Sequence, residues 1–126
     1  MDARPLTENI HWVGAVDWDR KLFDDLIELP DGTSYNAYVV RGSEKVALID
    51  AVDPSMADKL LSRLRSLGID KIDYIVSQHA EQDHSGTIPC VLAEHPEAIV
   101  LCTDKCKKML TDHLGSIDDV VPAVSN

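Results

Sequence analysis

Residues 72–86 read IDYIVSQHAEQDHSG. The first half is short, apolar and β-branched, the pattern of a buried strand over residues 72–77. The second half packs His79, Glu81, Asp83 and His84 into six positions. Four ionisable groups beside a buried strand are costly to desolvate unless a partner satisfies them, and a metal cation is the commonest partner able to do so. His79, Glu81 and Asp83 are spaced by two, so in an extended segment they project the same way, with His84 turned elsewhere. A mixed nitrogen and oxygen donor set suits iron, manganese or zinc. The lack of thiolate disfavours structural zinc, and the carboxylates favour iron. Two imidazoles and two carboxylates exceed what one open catalytic metal needs, which points to shares in two adjacent metals. The residues also allow a plainer reading, solvated loop side chains with a histidine capping the next helix.

Working outward, Ile10 to Val16, Tyr35 to Val40 and Lys45 to Ile49 are short, β-branched and bounded by Gly14, Gly32 and Gly42. They read as strands, with Arg41-Gly42-Ser43 as a tight hairpin turn. Ser55, with Asp58 three residues on, marks a helix start. Leu60, Leu61, Leu64 and Leu67 then fall on one face before Gly68 ends it. Downstream, Thr87 to Glu94 reads as a helix, Ile99 to Cys102 as a strand, and Asp104 to His113 as a helix closed by Gly115. This order predicts an α/β fold with a sheet of mixed direction. In such folds chemistry gathers outside the carboxyl ends of the strands, where residues 79–84 fall. Asp50, ending the run VALID, either orients one of the imidazoles from behind the metal ligands or simply begins the turn from Asp50 to Pro54. His11, His95 and His113 sit at no ligand spacing and read as surface or packing residues. Trp12, Trp18 and Phe23 read as core, with a pocket wall as the other possibility.

With 126 residues, 44% of them hydrophobic, the chain is long enough for one globular domain with its own core. No run reaches the apolar length of a membrane span, and MDARPLTENIHW lacks the basic-then-apolar pattern of a secretory signal, so a cytoplasmic location is expected. Cys90, Cys102 and Cys106 suit neither a disulfide framework nor a paired zinc motif; they read as reduced thiols, with Cys90 and Cys102 buried. A formal net charge of −10 argues against nucleic acid or an anionic membrane as partner.

HAEQDHSG resembles the H-x-E-x-D-H motif of flavodiiron proteins, whose N-terminal domain has the metallo-β-lactamase fold. Glu81 is the discriminating residue, because hydrolytic zinc members of that fold usually carry a histidine there. The similarity continues through VDWDRKLFDDLIELPDGTSYNAYVVRG, VALIDAVDP and IDYIVSQHAEQDHSGTIP, in the family's order, up to about Gly115. The resemblance implies a non-haem diiron centre that reduces dioxygen to water or nitric oxide to nitrous oxide. His79 and Glu81 would bind one iron, and Asp83 and His84 would face the other; in some members water displaces the residue matching His84. It also implies FMN in a flavodoxin-like domain, a rubredoxin-like electron donor and pairing of subunits.

The fold so implied is the N-terminal half of an αββα sandwich, one mixed β-sheet with helices packed on one face. Residues 1–126 would then be a single truncated domain, without the flavodoxin-like domain or the family's later metal ligands, and inactive as a chain alone. An apolar sheet face left uncovered predicts a homodimer. Two other readings stand beside this one. A binding module would hold a metal and sense dioxygen without turning it over, and a hydrolase of the wider fold would use zinc, against the indication of Glu81.

Overall fold

The computed structural model describes residues 3–17, 22–23, 27–28, 33–78, 85–102, 108 and 120–122. Its elements run β1 (Arg4–Pro5), β2 (Ile10–Trp12), β3 (Ala15–Asp17), β4 (Leu22–Phe23), β5 (Ile27–Glu28), β6 (Thr33–Tyr35), β7 (Tyr38–Arg41), β8 (Val46–Ile49), α1 (Ala57–Ser66), β9 (Tyr74–Val76), α2 (Ile88–Glu94), β10 (Ile99–Cys102) and β11 (Val120–Pro122). Strands β8, β9 and β10 are unbroken apolar runs, the composition of parallel strands at the centre of a sheet. They lie side by side within a seven-stranded sheet of order β1-β2-β7-β8-β9-β10-β11. Pairing is antiparallel from β1 to β8 and parallel from β8 to β11. Strands β3 and β6 form a small second sheet, and β4 pairs with β5 in a third.

The expected strands at Ile10 to Val16 and Tyr35 to Val40 are each broken in two. Trp12 pairs with Tyr38 and Ala15 with Tyr35, three steps along one strand for three along the other, so the register runs through the break. Thus β2-β3 and β6-β7 are one antiparallel ribbon, interrupted at Val13-Gly14 and Asn36-Ala37. The Val13 amide donates to the Ala37 carbonyl at 2.9 Å across the interruption. Gly14 makes the close approach possible: a Cβ there would lie 2.0 Å from the Tyr35 carbonyl oxygen.

Paired residues share a face, so Val39, Leu48, Ile75 and Val100 form one row across the sheet. All four are fully buried, together with Leu60 and Leu64 of α1 and Ile88 and Val91 of α2. The helices therefore cover one face. Burial of each such side chain contributes about 1.5–3 kcal/mol. On the opposite face, Val40, Ala47, Tyr74 and Ile99 form one row and Tyr38, Ile49, Val76 and Leu101 the next. These are half-buried, and Ile99 is exposed at 37%.

Other expectations meet the structure more closely. Residues 42–45 make the β7–β8 turn, closed by the Gly42 amide donating to the Lys45 carbonyl at 2.8 Å. Gly68 takes a φ of 66° after α1, the left-handed stop that glycine permits. The helix start is corrected. Asp53, not Ser55, is the capping residue, accepting from the Ser55 amide at 3.0 Å and from its hydroxyl at 2.7 Å over the 3-10 turn Pro54–Met56. Cys102 is buried as expected but Cys90 is exposed, because Ile88 and Val91 take the inward face of α2. Cys106, His113, Trp18, the Phe23 side chain and the helix expected over 104–113 lie outside the described residues, apart from a helical Lys108.

Arg63 is the residue on α1 that the leucine pattern hides. It is 5% exposed, donates through Nη1 to the Gly14 carbonyl, and sets its guanidinium 5.0 Å from the Trp12 ring centroid, with Arg4 also over that ring at 5.6 Å. Burial, then the charge of Arg4, lowers its pKa from the ordinary value. One buried guanidinium thus ties α1 to the ribbon at Gly14.

Candidate metal centre

The four residues read as metal ligands, His79, Glu81, Asp83 and His84, lie outside the described residues. What surrounds them is described. At the near end, the Asp50 amide donates to the Val76 carbonyl at 2.8 Å, prolonging the β8–β9 pairing, and the Ser77 amide donates to the Leu101 carbonyl at 2.9 Å. Asp50 itself is 5% exposed and has a φ of 62°, a left-handed conformation that short polar side chains tolerate better than most. That turn points its carboxylate at Gln78. Oδ1 accepts from the Gln78 backbone amide at 2.9 Å and Oδ2 from the Gln78 side-chain amide at 2.8 Å. Hydrogen bonds to a buried carboxylate are among the stronger ones in proteins.

At the far end, Ser85 and Thr87 are buried. Thr87 occupies the N-cap position of α2, but its hydroxyl makes no cap hydrogen bond. Instead Oγ1 accepts from the Val52 amide at 3.1 Å and donates to the Val52 carbonyl at 3.2 Å. Residues 78 and 87, on either side of the acidic and histidine-rich run, are therefore both fixed to the three-residue stretch Asp50–Val52 behind β8. Neither Gln78 nor Thr87 stands out in the sequence, since the partners lie 28 and 35 positions away.

Among the described residues no group of three or more His, Cys, Asp and Glu side chains is placed to hold a metal ion. His11 is half-buried and His95 is 7% exposed, and the Nδ1 atom of each is buried without a hydrogen-bond partner. Neither belongs to a metal-holding group among the described residues, and His95 Nδ1 lies 3.6 Å from Glu97 Oε1. Away from the candidate centre, Asp73 accepts from the Val46 amide at 2.8 Å and lies 3.4 Å from Lys71. The bond from the Val46 amide, reinforced by Lys71 and Lys45 against a desolvation effect of opposite sign, lowers its pKa.

A parallel-centred mixed sheet with helices on one face defines an α/β class, and the H-x-E-x-D-H run follows one of its central strands. Comparison with known proteins identifies it. The sequence pattern of the Metallo-beta-lactamase superfamily matches residues 30–124, and the chain belongs to that superfamily. Within it, its relatives are flavodiiron proteins. The coenzyme F420H(2) oxidase of Methanothermobacter marburgensis is 37% identical over 119 residues, 91% of this chain and 29% of that protein. The nitric oxide reductase of Moorella thermoacetica is also 37% identical, over 90% of this chain and 29% of its own length. Among solved structures, the rubredoxin oxygen:oxidoreductase of Desulfovibrio gigas superposes with a TM-score of 0.91 at 34% identity, over 97% of this chain and 31% of that one. The chain thus spans under a third of the relatives it matches. No helix among the described residues is long and apolar enough to cross a membrane.

Proposed function

We propose that residues 1–126 form the N-terminal part of the diiron domain of a flavodiiron oxidoreductase, with His79, Glu81, Asp83 and His84 as metal ligands. The observation that carries this reading is the run HAEQDH itself, bracketed by Gln78 and Thr87, both anchored to Asp50–Val52. Its donor chemistry fits iron: neutral imidazole nitrogen and anionic oxygen, with no thiolate. Bound there, non-haem iron would relay electrons from an external donor to dioxygen, giving water, or to nitric oxide, giving nitrous oxide. The chain's own part is to hold the ligands. Asp50 fixes the backbone immediately before His79, and each of its oxygens keeps a second lone pair for an imidazole N–H.

Four donors are fewer than two irons need, so turnover by the chain alone is not expected, and the electron route would run through FMN and a rubredoxin-like donor as in the family. A cytoplasmic setting suits such a donor. The half-buried rows Val40, Ala47, Tyr74, Ile99 and Tyr38, Ile49, Val76, Leu101 support pairing with a second copy through that sheet face.

Elemental analysis of anaerobically purified protein tests the assignment. The wild type is expected to retain iron, and His79→Ala with Glu81→Ala to lose it. Equal iron in both would reject these residues as ligands; zinc in place of iron would favour a hydrolase.

A further inference from the structure

We infer that Thr87 is a positioning residue for the metal-binding run: its hydroxyl acts as a side-chain rung on the Val52 backbone that fixes the far end of residues 79–84. The inference rests on the metal reading only for its consequence, since the latch itself is a described contact.

Three observations converge on it. A threonine at a helix N-cap ordinarily turns its oxygen toward the helix's own free amides, a bond that stabilises by about 1 kcal/mol. Thr87 forgoes this, making no side-chain cap bond to α2. Its oxygen instead engages both the amide and the carbonyl of one residue, Val52, at 3.1 and 3.2 Å. Both residues are buried, Thr87 at 1% and Val52 at 0% exposure, so water cannot replace either bond. Finally, Val52 lies two residues beyond Asp50, whose carboxylate holds Gln78 at the other end of the run. Displacement at either end therefore moves that end against a stretch of backbone to which the other end is also fixed.

The chemistry selects the residue. Valine has the shape of threonine but would leave the Val52 amide and carbonyl unpaired in the core. Serine keeps the hydroxyl and loses only a methyl. Thr87→Val and Thr87→Ser therefore separate latch from packing.

The test is amide hydrogen exchange on the metal-free full chain, with Co(II) binding followed by its visible spectrum on the same proteins. In the wild type the Val52 amide is expected to exchange at core-like rates. In Thr87→Val the amides of residues 78–87 are expected to exchange at least about ten-fold faster while those of β7 and β8 are unchanged, and Co(II) affinity to fall about 10- to 100-fold with an altered spectrum. Thr87→Ser should restore both. A Val52 amide exchanging freely in the wild type, unchanged exchange over 78–87 in Thr87→Val, or a serine variant as loose as the valine one would each overturn the inference. The first of these needs no variant to fold. Wild-type protein that binds no Co(II) would instead reject the metal reading, leaving exchange to decide the latch.

Discussion

Asp50 accepts both amide donors of Gln78, the residue immediately before His79. The contact is made from a left-handed backbone that few residues other than glycine and asparagine share. Asp50→Asn keeps that conformation accessible but sets a new N–H donor against those of Gln78. Disrupting a part-buried, charge-assisted pair costs about 1–3 kcal/mol. Thermal unfolding should fall by several degrees and iron retention by about ten-fold or more. An unchanged melting temperature would remove Asp50 from the role given to it.

Gly14→Ala should show the opposite of the usual effect. Replacing glycine by alanine commonly stabilises by about 0.4–1 kcal/mol through the unfolded chain. Here the added methyl would meet the Tyr35 carbonyl oxygen at 2.0 Å, a backbone atom that cannot swing aside. A loss of about 3 kcal/mol or more is expected in urea denaturation. A neutral result would mean that the two strands do not approach this closely at Gly14.

Stability should decline on the acid side. The Val46 amide lowers the pKa of Asp73; the amide of Glu97 itself, then the Ile72 amide and the nearby His95 side chain, lower that of Glu97, with desolvation opposing both. For a carboxyl lowered on folding, the stabilisation is present above the unfolded pKa, about 4, and is lost as pH falls through the folded value. Unfolding free energy measured from pH 7 to 3 should drop below about pH 4. Asp73→Asn should make that fall shallower; an identical acid limb in the variant would contradict the assignment.

Sedimentation tests the sheet face. Wild-type protein should run at twice the mass of one chain, and Ile99→Lys, a charge on the most exposed residue of that face, should shift it toward monomer with unchanged circular dichroism. A monomeric wild type rejects pairing through these strands.

The parts of the fold legible in sequence were those written in periodicity and composition. The apolar runs of β8, β9 and β10 and the leucines of α1 declare their burial locally, and Gly68 declares the stop. The interruption was not legible, because alternation passes through Gly14 in unbroken register and only a glycine inside a strand hints at it. Ser55 was mistaken for the cap because Asp53 lies before a 3-10 turn that shifts the helix start. Arg63 was invisible for another reason: its burial depends on the Trp12 ring and the Gly14 carbonyl, both supplied by a distant part of the chain. The same is true of Thr87, whose position invites a capping role that its hydroxyl does not take. The donor types of the candidate centre were readable at once; their anchoring was not.

The ribbon that passes from the large sheet into the small one limits how the two can move. A strand pair can shift along itself only in steps that respect the pleat, since a shift of one residue turns every inward side chain outward. With the register continuous from Ile10–Val40 to Asp17–Thr33, sliding at one end would demand the same slip at the other. Register slip in the large sheet and register slip in the small one are thereby a single event, opposed by the buried side chains of both.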